Sequence, residues 1–342
     1  GKALMILIVL AFFSVLVFLP DLHDSFGLAK MVYLSLLAPV ALGSLCLLFF
    51  SGRQVKIPLA PLLVSYILVL VLSAAPNYSH ESIAQLSLDL TGILFFIYVV
   101  NRVRPDSIRI CMIAYVLIAF IMTLFSLLAW RWPELAIAGR PFIESTMGNA
   151  KYPALLIIAA LPLAFYLGGN MKAQWQKIVF TCGAVLLTLS LLVAGTRVIS
   201  SAFYPILTPD QRGAVASSFL GRVEIWKASE PIIRKAIPLG IGRGNFQLHY
   251  PRQDERLLTT HAHNDYLEFL IEIGPFGLLL FGSIALWILT SPCSTQGNYL
   301  QASAFAVLLA AFFWFPFEIA PMAVSYWIFL GLIYVDSYEQ SR

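Results

Sequence analysis

Charge is what this sequence has least of. Only 12% of its 342 residues are Asp, Glu, Lys or Arg, about half of the ~25% usual in soluble domains. The hydrophobic share is 59% and the mean hydropathy +0.82, which excludes an ordinary soluble globular domain. Cysteine is also scarce. Cys46, Cys111, Cys182 and Cys293 lie scattered through or beside apolar runs, and none makes a CxxC or other metal-ligand spacing. They read as small buried hydrophobes. The net charge of +4 leaves no electrostatic footprint for nucleic acid. Short alternating segments are missing too, and with them the signature of a membrane β-barrel.

What is present is a series of apolar runs, each near the ~20 residues that cross a bilayer as helix. Spans are expected at 3–20, 30–51, 57–75, 83–100, 108–130, 151–168, 178–194, 266–291, 299–317 and 321–337. The run from Leu4 to Leu19 is as long as the others and reads as a first span, not a cleaved signal. Alternate loops are basic: Arg53 and Lys56; Arg102, Arg104 and Arg109; Lys172 and Lys177. The intervening loops are neutral, acidic or mixed. The positive-inside rule puts the basic loops and both termini in the cytoplasm. Residues 198–264 then lie outside.

One stretch, Gly221 to Gly277, interrupts the grease. The segment 209–264 carries eight Lys or Arg against five Asp or Glu. Long translocated loops escape the charge rule, so the topology stands. The surplus of cations suits an anionic partner, although scattered charge on a solvated loop is the plainer alternative. From Arg222 to Arg234 the pattern is that of one amphipathic helix able to lie at a membrane surface, with Val223, Trp226, Ile232 and Ile233 on its apolar side. Gly240, Gly242 and Gly244 then predict a flexible turn with exposed backbone, either a plain loop or a phosphate cradle beside Arg243.

His261-Ala262-His263-Asn264-Asp265 is the most unusual cluster. On a strand, His261, His263 and Asp265 would share a side and hold a metal. Alternatively one histidine is a general base, its ring oriented by Asp265, Glu268 or Glu272. It can also simply cap a helix or meet water. Arg197 ends an apolar run on the outer side, where an arginine is costly unless paired or functional. Its fork suits phosphate oxygens, as does that of Arg222, and snorkelling to headgroups is the alternative. Two arginines and a histidine on one membrane face suit group transfer from a lipid-linked pyrophosphate.

These residues resemble the bacterial O-antigen ligase and O-antigen polymerase superfamily. O-antigen ligases carry His, then Asn, Ser or Gln, then nine residues, then Gly-x-x-Gly. Here His263-Asn264 is followed by nine residues and by Gly274-Pro275-Phe276-Gly277, which selects His263 over His261. Arg222 with Trp226, the turn from Gly240 to Phe246, and Met147-Gly148-Asn149 leading into a span also resemble the family. Relatives usually have two further spans between the outer arginine and the Arg-x-x-x-Trp element. Val198 to Gly221 is too short for both, so either the pair is absent or residues are missing there.

The resemblance implies an all-α polytopic membrane protein with about 10–12 transmembrane helices and one large periplasmic loop, like the GT-C-like glycosyltransferases. Three regions follow: transmembrane helices over 1–197, a periplasmic segment over 198–264, and transmembrane helices over 265–342. The implied activity moves O-antigen polysaccharide from undecaprenyl pyrophosphate to lipid A-core at the periplasmic face of the inner membrane. It is expected to invert the anomeric centre and to use neither metal nor cofactor. His263 would be the base, and Arg197 and Arg222 would hold the pyrophosphate. Asn264, Trp226, Arg243 and Glu318 would support them, Glu318 as the acid of a late outer turn between Pro316 and Pro321. The rivals are an O-antigen polymerase, a protein O-oligosaccharyltransferase and, in another class, a lipid-linked glycan transporter. A transporter should carry charges inside several spans, whereas here they cluster at span ends.

Overall fold

The computed structural model describes residues 2–17, 27–132, 136–137, 140–141, 152–189, 219–250 and 259–340. They form α1 (Lys2–Phe13), α2 (Gly27–Phe50), α3 (Ala60–Ala74), α4 (His80–Arg102), α5 (Pro105–Arg131), α6 (Tyr152–Asn170) and α7 (174–189). After these come α8 (Phe219–Ala228), α9 (Glu230–Ala236), α10 (Phe246–His249), α11 (Asp265–Glu272), α12 (Gly274–Leu289), α13 (Thr295–Ala310) and α14 (Ala320–Gln340). A two-residue antiparallel pair, Ala136–Ile137 with Arg140–Pro141, is the only strand pairing among the described residues. The protein is therefore an all-α polytopic membrane protein. Among the described residues six helical segments are long and apolar enough to cross a membrane, and two shorter apolar helices accompany them.

The core is built around α14. Its side chains are buried without a break from Ala320 to Ile333, as expected of a helix apolar on all sides. It packs chiefly on α4, and also on α13, α2, α12 and α1. In lipid, apolar burial gives little drive between helices, so close van der Waals approach carries the association. Small residues permit it: Gly92 of α4 lies under the Trp327 ring, and Gly331 lies against Val99. By contrast α2 turns Leu36, Leu47, Phe49 and Phe50 outward, where lipid tails would meet them.

Polar residues collect at the two ends of the bundle. At one end Asn101 bonds the backbone of Lys56, and the Lys56 ammonium sits 4.4 Å above the Tyr338 ring. Arg102 and Arg109 donate to the carbonyls of Ser44 and Asn170, and Asp336 accepts from Ser294. These contacts gather the basic loops that the charge pattern assigns to one side. The α3–α4 junction, α8 to α10, the 259–264 loop and the 311–319 loop gather at the opposite end. Ser79 donates to the Asn245 side chain at 2.5 Å, and Gln85 to the Phe317 carbonyl at 3.0 Å.

Two expected elements differ from the structure. The span foreseen over 266–291 is two helices, broken at Ile273 and Gly274. Gly274 has φ +68, and a Cβ there would strike the Pro238 carbonyl. A Cβ on Gly240 would strike the Glu272 carbonyl in turn. The break and the glycine turn thus lie backbone against backbone, with Ile241 N–H donating to Ile271 and Gly242 N–H to Glu272. The helix foreseen over 222–234 is also two, separated at Ser229. Its apolar side does not face outward: Ile225, Ile232 and Ala236 form a satellite core with Ile241, Phe246, Tyr250, Ala262 and Ile271.

Candidate active site

The two-turn helix α11 organises the site. Its carboxylates recur at 265, 268 and 272, a spacing that puts them on one helical face. All three are buried. Asn264 caps the helix by accepting from Leu267 N–H at 3.0 Å, a role suited to its side-chain oxygen. Each carboxylate holds a different segment. Asp265 accepts from Phe317 N–H at 3.0 Å, and its own N–H donates to the Ala311 carbonyl at 2.9 Å. Glu268 accepts from His261 Nδ1 and from Ala262 N–H, both at 2.9 Å. Glu272 accepts from Arg243 Nη1 at 2.6 Å and from Phe246 N–H at 2.9 Å.

Arg243 projects from the glycine turn into the bundle and is wholly buried. Its Nε donates to Asp89 at 2.9 Å, and its Nη1 to Glu272 at 2.6 Å and to Glu318 at 2.5 Å. The guanidinium carbon lies 4.7 Å from the centre of the Phe269 ring. Burial disfavours its charge, but Asp89, Glu318 and Glu272 more than compensate and raise its pKa well above the ordinary value. The turn is therefore not flexible or exposed. Asn245 fastens it further, donating to the carbonyls of Asn77 at 2.6 Å and Ile241 at 2.8 Å.

Beside this cage runs the histidine loop. The His261 ring stacks on Phe315 with centroids 4.4 Å apart and planes at 18°. His263 meets the same ring edge-on at 5.1 Å. His263 has φ +52, one of only two non-glycine residues with positive φ among those described. This left-handed conformation costs energy and persists where the surroundings impose it. The surroundings here are the grip of Glu268 on the two preceding residues and the cap formed by the following one.

The third part comes from α8. Trp226 donates its indole N–H to the Ala262 carbonyl at 2.8 Å, so the helix is docked on the peptide immediately before His263. Arg222 lies one turn back on the same face of α8. It is 7% exposed, its Nε has no hydrogen-bond partner, and no carboxylate pairs with it among the described residues. Burial lowers its pKa. A buried guanidinium without a counter-ion is expensive, and an anionic ligand is the usual remedy.

A family model described as O-antigen ligase matches residues 67–282, more than half of the sequence. The chain belongs to the O-antigen ligase family. No curated protein matches it. The matched region runs from α3 into α12 and holds Arg222, Trp226, Arg243, His263 and the Gly274–Gly277 element. Membership of the O-antigen ligase family implies ligase- or polymerase-type glycosyl transfer with lipid-linked polysaccharide substrates.

The residues singled out from sequence divide into three groups. Trp226, His263 and Asn264 come together through the Ala262 carbonyl and the α11 cap, and Arg222 lies one turn from Trp226 on α8. Arg243 and Glu318 pair with each other behind them. Arg197 and Met147-Gly148-Asn149 lie outside the described residues. The three acids foreseen as partners for His263 are engaged elsewhere: Glu268 on His261, Glu272 on Arg243, and Asp265 on the Phe317 backbone.

Asp89, Asn245 and Phe315 were not foreseen. Asp89 had a signal, since an acid well inside an apolar span demands a partner, and it also departs from the rule that charges stay at span ends. The trio first considered for a metal, His261, His263 and Asp265, does not assemble as one set. His261, Glu268 and Glu318 do bring one donor atom each within 4.8 Å of one another. His261 and Glu268 are bonded to each other and Glu318 to Arg243, so the cluster reads as an ion-pair network.

Proposed function

We propose that this protein is the ligase itself: a transferase that moves O-antigen polysaccharide from undecaprenyl pyrophosphate to a sugar hydroxyl of lipid A-core. The observation that carries this reading is the buried Arg222, which no carboxylate pairs among the described residues, one turn from the Trp226 that bonds the Ala262 carbonyl next to His263. The arginine binds the pyrophosphate and neutralises charge that grows on it as it leaves. His263 removes the proton from the acceptor hydroxyl. The acceptor oxygen attacks the anomeric carbon opposite the leaving pyrophosphate, which departs with the bonding electrons, so the configuration inverts. The step uses neither nucleotide nor metal. Arg197 is the second arginine of this reading.

The site end of the bundle faces the periplasm and the basic end faces the cytoplasm of a bacterial inner membrane, as the positive-inside rule requires. A donor carrying its own activated bond suits a compartment without ATP. Asp89, the charge buried inside α4, is neutralised by Arg243 and belongs to no series of charges along the spans among the described residues, which disfavours a transporter.

The test combines purified protein, undecaprenyl-pyrophosphate glycan and lipid A-core without added metal. Formation of larger lipopolysaccharide, abolished by His263→Ala, is the expected result. Near-normal transfer by His263→Ala would sink the proposal. Elongated lipid-linked glycan as the sole product would make the protein a polymerase, and a glycosylated secreted protein would make it a protein O-oligosaccharyltransferase.

A further inference from the structure

His261 has no role in the reaction above, yet its ring is held on every side. Nδ1 lies 2.9 Å from one oxygen of Glu268, whose other oxygen accepts the N–H of the next residue. The ring face lies on Phe315. Plane and rotation are thereby set: Nδ1 is engaged with Glu268, and Nε2 is the nitrogen left for a ligand. The Glu268 side chain is 1% exposed and that of His261 29%, so the ring keeps an open part while the carboxylate does not. Glu268 and Glu272 from α11 and Glu318 from the Pro316–Glu318 turn all face it. Burial disfavours the charged ring, but these three acids outweigh burial and raise its pKa to about 9. The imidazole is a cation at neutral pH.

We propose that His261 is a second phosphate-binding residue of this site, donating its Nε2–H to a non-bridging oxygen of the donor's pyrophosphate. The inference rests on the reading of the donor and of His263 given above. Three groups then divide one step. The acceptor hydroxyl loses its proton to His263 as its oxygen bonds the anomeric carbon. The bond from that carbon to the phosphate oxygen breaks, and the pyrophosphate keeps the electron pair. Arg222 and His261 share the resulting charge, and the His261 proton stays on Nε2. Glu268 is a positioning residue that fixes the charge and the aim of the ring. Two histidines two residues apart thus receive different tasks, the first of them hydrogen-bonded to Glu268.

The experiment measures binding of undecaprenyl pyrophosphate to the full chain in detergent, beside transfer activity and thermal melting. His261→Gln should weaken binding about tenfold, ~1.4 kcal/mol, and His261→Lys should restore part of it. Glu268→Gln should bind weakly at about pH 8 and regain affinity at about pH 5.5, where an unsupported imidazole protonates. Unchanged affinity in His261→Gln overturns the inference. Should that variant not fold, affinity of Glu268→Gln that ignores pH overturns it. His263→Ala should bind the lipid normally and transfer nothing, which supports both proposals. Transfer by His263→Ala at the normal rate removes the parent reading, and no binding of the lipid by the unaltered chain removes both.

Discussion

Two buried arginines at the same end of this protein are treated in opposite ways. Arg243 is surrounded by Asp89, Glu272 and Glu318, which come from three separate parts of the chain. Arg222 is almost as deeply buried and has no such company among the described residues. Charge buried with its complement fastens elements together. Charge buried without it is a debt that a ligand can settle. The first arginine holds α4, the glycine turn, α11 and the 311–319 loop in register. In the function proposed above, the second binds a ligand from outside the chain.

The contrast can be broken most severely at Arg243. Arg243→Met strips the counter-charge from three buried acids and should cost about 3–5 kcal/mol, seen as a large fall in melting temperature in detergent. An unchanged melting temperature in Arg243→Met would show that the guanidinium does not hold these segments together. Arg222→Met should do the reverse. Transfer should fall about a hundredfold or more, equivalent to roughly 2.7 kcal/mol of transition-state stabilisation. Melting should hold or rise, since an uncompensated buried charge is gone. Equal loss of stability in the two variants would erase the distinction drawn here.

A pH titration of stability sharpens the comparison at the neighbouring ion pair. The pKa of His261 in the folded chain is raised from 6.5 to about 9. Its contribution is therefore complete below 6.5 and disappears as pH rises through about 9. Melting temperature should decline across that window, and Glu268→Gln should flatten the decline. The smallest effect is expected for Trp226→Phe. The ring's bulk remains while the bond to the Ala262 carbonyl is lost, at about 1 kcal/mol. Transfer should drop several-fold with His263 chemistry intact, and an unchanged rate would show that α8 needs no such anchor.

Much of this was legible beforehand. Ten apolar runs predict ten spans, and all ten regions are helical over most of their described length, though the run over 266–291 is two helices, because lipid demands internally bonded backbone. The motif spacing also has a physical content. The nine residues between Asn264 and Gly274 are the two turns of α11 and the break that follows, the length needed to present acids at 265, 268 and 272 to three different segments. Gly274 ends the helix there because the Pro238 carbonyl occupies the space a side chain would need. Reading Arg222 to Arg234 as a surface helix failed for an equally physical reason. An amphipathic pattern reports that one face is buried, without saying whether lipid or protein buries it.

By itself, then, the sequence determined the class of molecule, where its apolar helices lie and which polar residues deserved notice, since composition and periodicity answer directly to solvent. Only the tertiary structure decided how the charges are shared out. Glu268 lies nearer to His263 than to His261 in sequence but serves His261. Arg243 resembles Arg222 in composition and local setting but meets Asp89, 154 residues earlier in the chain. Whether a buried charge is a strut or a vacancy depends on which distant carboxylates reach it, and distances across the fold are not written in local spacing.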